Sequence, residues 1–190
     1  MKIITLPNPH LREKSKKISI VTEEVRNLCE TMKVATLKWE DSREHEVGVA
    51  LAAVQIDDMQ KVVIIRVDFN DKKNREFQVF INPEITKFDG EIIEDYEGCL
   101  SIKNIYGKVP RYSKVRVKAL DENGNIIRVK AEGFLARIFQ HEIDHTNGVV
   151  FIDHIKSIQD AFYQLDEKGH LEPLDYEKNI KDNLELWPSE

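Results

Sequence analysis

The stretch QHEIDH, Gln140–His145, decides the fold prediction because it carries the pattern H-E-x-x-H in His141, Glu142 and His145. In a helix, residues four apart project from one face, one turn above the other. Two imidazoles placed in this way bind one divalent metal ion, and the glutamate between them lies beside the metal-bound water. The stretch therefore predicts a helical metal site.

The surrounding segment, GFLARIFQHEIDHTNG over 133–148, has the periodicity of a helix that ends at Gly148. Its apolar stripe comprises Phe134, Leu135, Ile138 and Phe139. A core helix that carries two histidines by chance is the alternative. Asp144 lies on the opposite flank of the histidine pair at a similar angle, so spacing alone leaves open whether Glu142 or Asp144 accepts a proton.

Strands are predicted on the N-terminal side of this helix, over residues 61–69, 77–85, 91–96, 114–120 and 126–132. Asp89-Gly90 and Asn123-Gly124 are typical of turns, and the second indicates a hairpin. An earlier helix follows Thr22 as its N-cap. The predicted fold class is α+β, with antiparallel β-sheets packed around a central HExxH-bearing helix and an N-terminal helix.

The N-terminal helix has a buried stripe at helical spacing, formed by Val25, Leu28, Met32, Ala35 and Trp39. Cys29 lies beside it and is interpreted as a small core residue. Residues 3–20 are expected to form a solvated arm, and His45 is expected to be exposed. The charged tail is expected to contain a helix near 157–165, a turn at Gly169 and a loose end.

Composition narrows the functional classes. A chain of 190 residues fits one domain, and the formal net charge of −6 argues against nucleic-acid binding. No apolar run reaches the length of a membrane span. The first residues resemble neither a signal peptide nor a transit peptide, and the two cysteines indicate reduced thiols. A cytoplasmic protein is expected, as a monomer or a homodimer.

Two further motifs precede the helix. GVALAAVQ, Gly48–Gln55, is a run of small residues that ends in an amide, and EGCLS, Glu97–Ser101, presents a cysteine at the end of a predicted strand. Small side chains permit close approach of a ligand or of another backbone. Cys99 with two histidines makes a three-ligand set with an open fourth position, which is typical of catalytic metal sites.

In their order and approximate spacing, the three motifs resemble those of the peptide deformylases. The resemblance extends to LPNPHLR, KVPRYSKVRVKALDENGN and NGVVFIDHI, and it covers roughly Ile3 to Ile155. It implies a catalytic domain over residues 1–155 and a variable C-terminal tail over 156–190. The implied activity is metal-dependent hydrolysis that removes the formyl group from the N-terminal formyl-methionine of newly made polypeptides and releases formate.

The resemblance assigns roles to individual residues. Cys99, His141 and His145 become the metal ligands, and Glu142 becomes the general acid and base. Two groups become oxyanion donors, the side-chain amide of Gln55 and the backbone N–H of Leu100. A supporting ion pair is formed by Glu97 and Arg111. Substrate binding is assigned to the strand Gly48, Val49, Ala50 and Leu51, and to a side-chain pocket of Val49, Phe134, Ile138 and His141.

The resemblance also implies one divalent metal ion, natively Fe²⁺, with zinc, nickel or cobalt as replacements in purified protein. The implied partners are nascent formyl-Met polypeptides near the ribosome exit, without nucleic-acid or membrane binding. Three positions depart from the family's pattern. Ala50 replaces a usual glycine, Lys103 a common proline and Thr146 a common leucine. The methyl group of Ala50 is expected to crowd the substrate strand.

Three alternatives use the same helix differently. A zinc metalloprotease of the extended H-E-x-x-H-x-x-G-x-x-H type has a third histidine where this chain has Phe151, so that type fails. A second protease type takes a downstream glutamate as third ligand, for which Glu167 is available. The non-enzymatic alternative is a binding module or an inactive relative with a structural metal. It leaves Glu142 and Gln55 without a role, whereas Ala50 keeps it open.

Overall fold

The computed structural model describes residues 2–43, 46–71 and 73–187, so His45 lies outside the described residues. The α-helices are α1, Glu23–Asp41, α2, Gly133–His145, and α3, Tyr176–Asn179. Short 3₁₀ helices span Pro9–Arg12, Ala53–Ile56, Phe151–Ile155 and Gln159–Ala161. Within the described ranges, no helix combines the length and the apolar character needed to cross a membrane.

Seven strands form one sheet in which neighbouring strands are antiparallel, and they confirm the α+β class. The strands are β1, Ala50–Ala52, β2, Val62–Arg66, β3, Phe77–Cys99, β4, Ile102–Leu120, β5, Ile126–Glu132, β6, Phe162–Leu165, and β7, Leu171–Pro173. Their order is β1-β2-β3-β4-β6-β7, and β5 also pairs with β4. The three-residue strand β1 therefore lies at one edge of the sheet.

The long strand β4 organises the sheet around α2. Its first part pairs with β6 at Tyr106 and Gly107, and its last part pairs with β5 over residues 114–120. The inner face of the sheet and α2 share one apolar cluster, in which Phe80 of β3 packs edge-on against Phe139 at a centroid distance of 4.9 Å. Burial on nearly all sides of α2 places the H-E-x-x-H segment at the centre of the protein.

The prediction of two strands separated by a turn at Asp89-Gly90 is wrong. Both segments belong to β3, and the glycine sits in an irregularity where three steps on β3, from Asp89 to Ile92, face two steps on β4. Gly90 has φ of +74°, a conformation that glycine adopts without the penalty of a Cβ atom. The positive φ of a glycine suits a hairpin turn, and in this strand it accommodates a β-bulge instead.

The structure confirms the N-terminal helix. Thr22 is the N-cap residue, and two glutamates in the first turn face the positive end of the helix dipole. Val25, Leu28, Met32 and Ala35 are buried in one cluster, and Trp39 packs against it while partly exposed. Cys29 is buried in the same cluster, and burial raises the pKa of its thiol to about 11. It is therefore an unreactive core residue.

The ends of the chain are more ordered than predicted. The arm that precedes α1 buries Leu6 and Leu11 in a third apolar cluster. The predicted helix near 157–165 is wrong, because Phe162 and Tyr163 pair with β4 as the start of β6. The predicted turn at Gly169 is confirmed, since it closes the β6–β7 hairpin at φ of +81°. As far as the structure describes it, to Trp187, the tail is packed and not loose, because Ile180 and Leu186 are buried in the third cluster.

Candidate metal centre

Three side chains from two elements converge beside the H-E-x-x-H helix. The Sγ atom of Cys99 and one ring nitrogen each of His141 and His145 all lie within 4.8 Å of one another. Cys99 Sγ is 3.2 Å from His145 Nε2, and the two imidazole centroids are 5.0 Å apart. The helical spacing of four residues therefore brings the histidines together as predicted, and β3 supplies the thiol.

The position of Cys99 depends on its neighbour Gly98. Cys99 is the last residue of β3, where the chain turns into β4. Tyr106 of β4 is the pairing partner of Gly98, and a Cβ atom at Gly98 would lie 2.6 Å from the tyrosine ring. Only glycine therefore lets the ring pack against the backbone at this position. This close packing at the end of β3 accompanies the position of the Cys99 thiol against α2.

These residues fit a divalent metal ion. One sulfur and two imidazole nitrogens form a common catalytic donor set, which leaves a fourth position open. Glu142 Oε2 is buried without a hydrogen-bond partner among the described residues. Burial lowers the pKa of His145 well below its usual value, which favours the neutral imidazole that metals bind. The donor set and the unpartnered carboxylate oxygen agree with an ion held at this point.

Glu97 anchors the first histidine through a buried network of charges. His141 Nδ1 lies 2.9 Å from Glu97 Oε2, which directs the other ring nitrogen toward Cys99. Arg111 donates to both oxygens of Glu97, from Nε at 2.9 Å and from Nη2 at 3.0 Å. The ion pair inferred from the resemblance is thus present, and it forms one network with a metal ligand.

The charges of this network reinforce one another. Burial by itself would raise the pKa of Glu97, but hydrogen bonds from His141 and Arg111 outweigh it and hold the pKa far below the usual range. Burial likewise would lower the pKa of His141, but its hydrogen bonds with Cys99 and Glu97 prevail and raise it. The carboxylate of Glu97 is therefore ionised and remains an acceptor for its partners.

The two acidic residues of the helix have different surroundings. Asp144 Oδ2 accepts a hydrogen bond from Arg111 Nη1 at 2.5 Å and lies 2.7 Å from His154 Nε2. Glu142 lies in the wall of the cavity that also exposes Cys99, and burial raises its pKa to about 7. This arrangement favours Glu142 as the proton acceptor, because Asp144 already serves an ion pair away from that cavity.

Gln55 presents its amide nitrogen to the ligand sulfur. Its Oε1 atom accepts the backbone N–H of Ala52 at 2.8 Å, which determines the orientation of the amide. Its Nε2 atom is 3.6 Å from Cys99 Sγ and 3.2 Å from Ser101 Oγ. The run of small residues thus leads through a short 3₁₀ helix to a buried N–H donor beside the cluster.

A cavity of about 390 Å³ opens onto the cluster. Most of the residues assigned from the sequence line it: Val49, Ala50, Gln55, Glu97, Cys99, Leu100, Phe134, Ile138, His141 and Glu142. Arg111, His145, Gly48 and Leu51 lie outside the lining. The N–H of Gly48 donates to Glu40 Oε2 at 2.9 Å, and Leu51 is fully buried in the apolar cluster that packs against α1. Gly48 and Leu51 therefore lie behind the part of the cavity wall that Val49 and Ala50 form.

Sequence reasoning missed Arg137 and the C-terminal hairpin. Arg137 Nη1 donates to Glu97 Oε1 at 2.8 Å and to Val109 O at 2.7 Å, so it shares the carboxylate with Arg111. Its position one helical turn before His141 was the available signal. Leu165 and Leu171 of the β6–β7 hairpin line the cavity, and only the strand pairing brings them there.

The alternative third ligand, Glu167, is not part of the cluster. It is exposed in the turn between β6 and β7. In the ranges that the structure describes, Cys99, His141 and His145 form the single group of three potential ligands. The geometry thus favours cysteine over a downstream glutamate as the third ligand.

Comparison with known proteins agrees with this site. The family profile described as polypeptide deformylase matches residues 1–161. A peptide deformylase of Thermomicrobium roseum is 40% identical over 169 residues, which cover 87% of this chain and 92% of the relative.

Solved structures extend the agreement to the fold. The actinonin complex of a Synechococcus elongatus peptide deformylase matches with a TM-score of 0.71 and 34% identity, over 80% of this chain and 76% of that one. A Met-Ala-Ser-bound class I type b peptide deformylase of Acinetobacter baumannii matches with a TM-score of 0.71 and 29% identity, over 80% of this chain and 96% of the other. The matches in sequence and in fold converge on one assignment: this chain belongs to the polypeptide deformylase family.

Proposed function

We propose that this chain removes the formyl group from the formyl-methionine of newly made polypeptides and releases formate, with Glu142 as the proton-transfer group of the reaction. The observation that carries the proposal is the Cys99, His141 and His145 cluster, which faces a cavity beside a buried, unpartnered glutamate oxygen. Membership of the deformylase family identifies the reaction class.

Cys99, His141 and His145 would hold one divalent ion, and we propose ferrous iron as the native one, with zinc, nickel or cobalt as replacements. When bound, such an ion lowers the pKa of a water ligand to about 7 and polarises a carbonyl oxygen. A thiolate among the ligands suits softer divalent ions. The buried Glu97 holds the His141 ring in the orientation that this ligand set requires.

Glu142 moves the protons of the reaction. Its carboxylate takes a proton from the attacking water and returns it to the departing α-amine, which otherwise leaves slowly as an anion. Burial raises the pKa of Glu142 above its usual value, toward the range in which a carboxyl group both accepts and releases a proton. Exclusion of Glu142 from the ligand set leaves its oxygens available for this transfer.

Gln55 and Leu100 stabilise the negative charge that develops on the formyl oxygen. The Nε2 group of Gln55 points toward Cys99, and Leu100 follows this cysteine directly in the cavity wall. Pre-oriented donors lower the barrier because they require no reorganisation when charge develops. The hydrogen bond from Ala52 N–H to the Gln55 oxygen supplies this pre-orientation.

The cavity accepts the methionine side chain and the edge of β1 accepts the peptide backbone. Val49, Phe134, Ile138 and His141 are the lining residues assigned to the side chain. Phe134 is 47% exposed and packs edge-on against Phe69 at 5.2 Å, so its ring is available to an apolar ligand. Among the described strands β1 pairs with β2 alone, so its other edge is available for pairing with a peptide.

We further propose that residues 1–155 form the catalytic domain, with 156–190 as a tail that completes its core. The substrates would be nascent chains near the ribosome exit in the cytoplasm, and the enzyme would act as a monomer or a homodimer. The deformylase of Acinetobacter baumannii bound to Met-Ala-Ser supports a short methionine-initiated peptide as ligand.

Formate release tests the proposed function. Protein loaded anaerobically with ferrous iron is incubated with formyl-Met-Ala-Ser, and with acetyl-Met-Ala-Ser as the matched control. The formyl peptide is expected to yield equal amounts of formate and free amine, whereas the larger acetyl group is expected to remain. Absence of formate with iron, zinc, nickel and cobalt in turn would refute the proposal and support a structural metal.

Replacement of Gln55 by alanine is expected to lower kcat by about 10²–10³-fold while the metal remains bound, because one oxyanion donor is lost. The matched control is Ser101→Ala, which removes the hydroxyl that accepts from Gln55 Nε2 and leaves the Gln55 amide in place. Rates of formate release and metal content are measured on the same samples. A Gln55→Ala enzyme as fast as the control would assign the oxyanion to other groups.

The Ala50→Gly variant tests crowding of the substrate strand. If the methyl group narrows the groove, kcat/KM for formyl-Met peptides rises. Ala50 is only 2% exposed and belongs to the cluster around α2, so its loss is also expected to reduce the free energy of unfolding by about 1–2 kcal/mol. Kinetics and thermal melting separate the two effects. Unchanged kcat/KM in a less stable variant would contradict crowding.

A further inference from the structure

A second cavity, of about 560 Å³, lies beside the cavity at the Cys99, His141 and His145 cluster, which we call the substrate cavity. Two residues, Trp39 and Leu100, line both cavities. Leu100 directly follows the ligand Cys99, so this second cavity begins next to the reacting centre. We call it the basic groove. A polypeptide held by its first residue must leave the substrate cavity along one of its sides, and this groove lies on the side that Trp39 and Leu100 border.

The charge of the basic groove contrasts with that of the whole chain, whose formal net charge is −6. Among the described residues, its lining includes no aspartate or glutamate and carries four cationic side chains, Lys2, Lys38, Arg43 and Lys103. Lys103 occupies the position at which the sequence departs from the family's common proline. The groove is therefore a local excess of positive charge next to the substrate path.

Three of these cations are available to a ligand. In the part of the chain that the structure describes, no ion pair or hydrogen bond involves the ammonium groups of Lys2, Lys38 or Lys103, and all three residues are exposed. Arg43 is different, because its Nε lies 3.2 Å from Glu46 Oε2 and its guanidinium stacks on Trp39 at 4.3 Å. Arg43 thus shapes the groove, and the lysines supply its charge.

We propose that the basic groove binds carboxylates of the substrate polypeptide, so that the enzyme favours substrates with acidic residues at positions three and four. This inference rests on the proposed function. Because the proposed function places the formylated first residue at the cluster, an extended chain that advances about 3.4 Å per residue carries the third and fourth residues about 7–10 Å beyond it. Their side chains are therefore the first to meet the lysines, whose charges are complementary to carboxylates.

The test compares two amidated peptides, formyl-Met-Ala-Asp-Asp-Ala-amide and formyl-Met-Ala-Asn-Asn-Ala-amide. The ratio of their kcat/KM values is expected to be about three- to tenfold at low salt, because several exposed charge pairs each contribute modestly. At 1 M salt, where the screening length is about 3 Å, the ratio is expected to approach one. The asparagine peptide with a free C-terminus measures how well a terminal carboxylate substitutes for the side chains.

Variants locate the effect. Lys38→Gln combined with Lys103→Gln is expected to bring the low-salt ratio close to one. Lys130→Gln, which removes an exposed lysine on β5 outside the groove, is expected to leave the ratio unchanged. Equal kcat/KM for both peptides in the unmodified enzyme would overturn the proposal. Equal values combined with competition by a short single-stranded RNA would also overturn it and assign the groove to phosphate. Failure of both peptides to release formate would instead refute the proposed function.

Discussion

Replacement of Glu142 by alanine is expected to remove nearly all turnover while the metal stays bound. A positioned proton-transfer group contributes about 10²–10⁴-fold to a rate, and Glu142 serves both water attack and amine departure, so the upper end is expected. Its carboxylate lines the cavity and is buried, and its Oε2 has no partner among the described residues. The side chain lies outside the ligand set, so metal content is expected to persist.

Asp144→Asn is the matched control for Glu142→Ala, because both changes remove one carboxylate from the same helix. Asp144 is engaged by Arg111 and His154, so its replacement is expected to retain much more turnover than Glu142→Ala. Formate release and metal content are measured for both variants. Near-normal turnover of a fully metallated Glu142→Ala enzyme would show that another group moves the proton.

His145→Ala is expected to lose metal and activity together. His145 is completely buried, its Nε2 lies 3.2 Å from Cys99 Sγ, and only two of three ligands remain without it. Loss of a group that merely orients a ligand typically weakens metal binding by about 10–100-fold, and loss of the ligand itself is expected to exceed this. The variant thus differs from Glu142→Ala in metal content as well as in rate.

His154→Ala is the control for removal of an imidazole near the site. His154 contacts Asp144 and Arg111 and lies outside the ligand group. After anaerobic loading and desalting, the metal content per protein is measured for both histidine variants. His154→Ala is expected to retain its metal. A His145→Ala protein with one tightly bound ion per chain would contradict the ligand assignment.

The metal site could be predicted from the sequence because its spacing has a geometric meaning. The helical repeat alone brings His141 and His145 to one face, whichever fold surrounds them. Placement of Cys99 and Gln55 required the order of the three motifs, since both come from distant parts of the chain. The structure brings all four residues together, with Gln55 Nε2 at 3.6 Å from the cysteine sulfur.

Other features depend on long-range pairing that local patterns do not encode. Asp89-Gly90 suits a hairpin turn as well as a bulge, and the choice is made by β4, which pairs with both flanking segments. Residues 162–165 form a strand because Tyr106 and Gly107 offer a free edge. Arg137 is buried because Glu97 and backbone carbonyls of two strands surround it. Such partners appear only when the sheet is assembled.

The most direct test of the proposed metal centre is the X-ray absorption spectrum of the zinc-loaded protein. One sulfur at about 2.3 Å and two imidazole nitrogens at about 2.0–2.1 Å are expected in the first coordination shell, with one lighter ligand from solvent. This result would place Cys99, His141 and His145 on one ion with an open position. A first shell of nitrogen and oxygen alone, without sulfur, would contradict the assignment of Cys99 and with it the proposed centre.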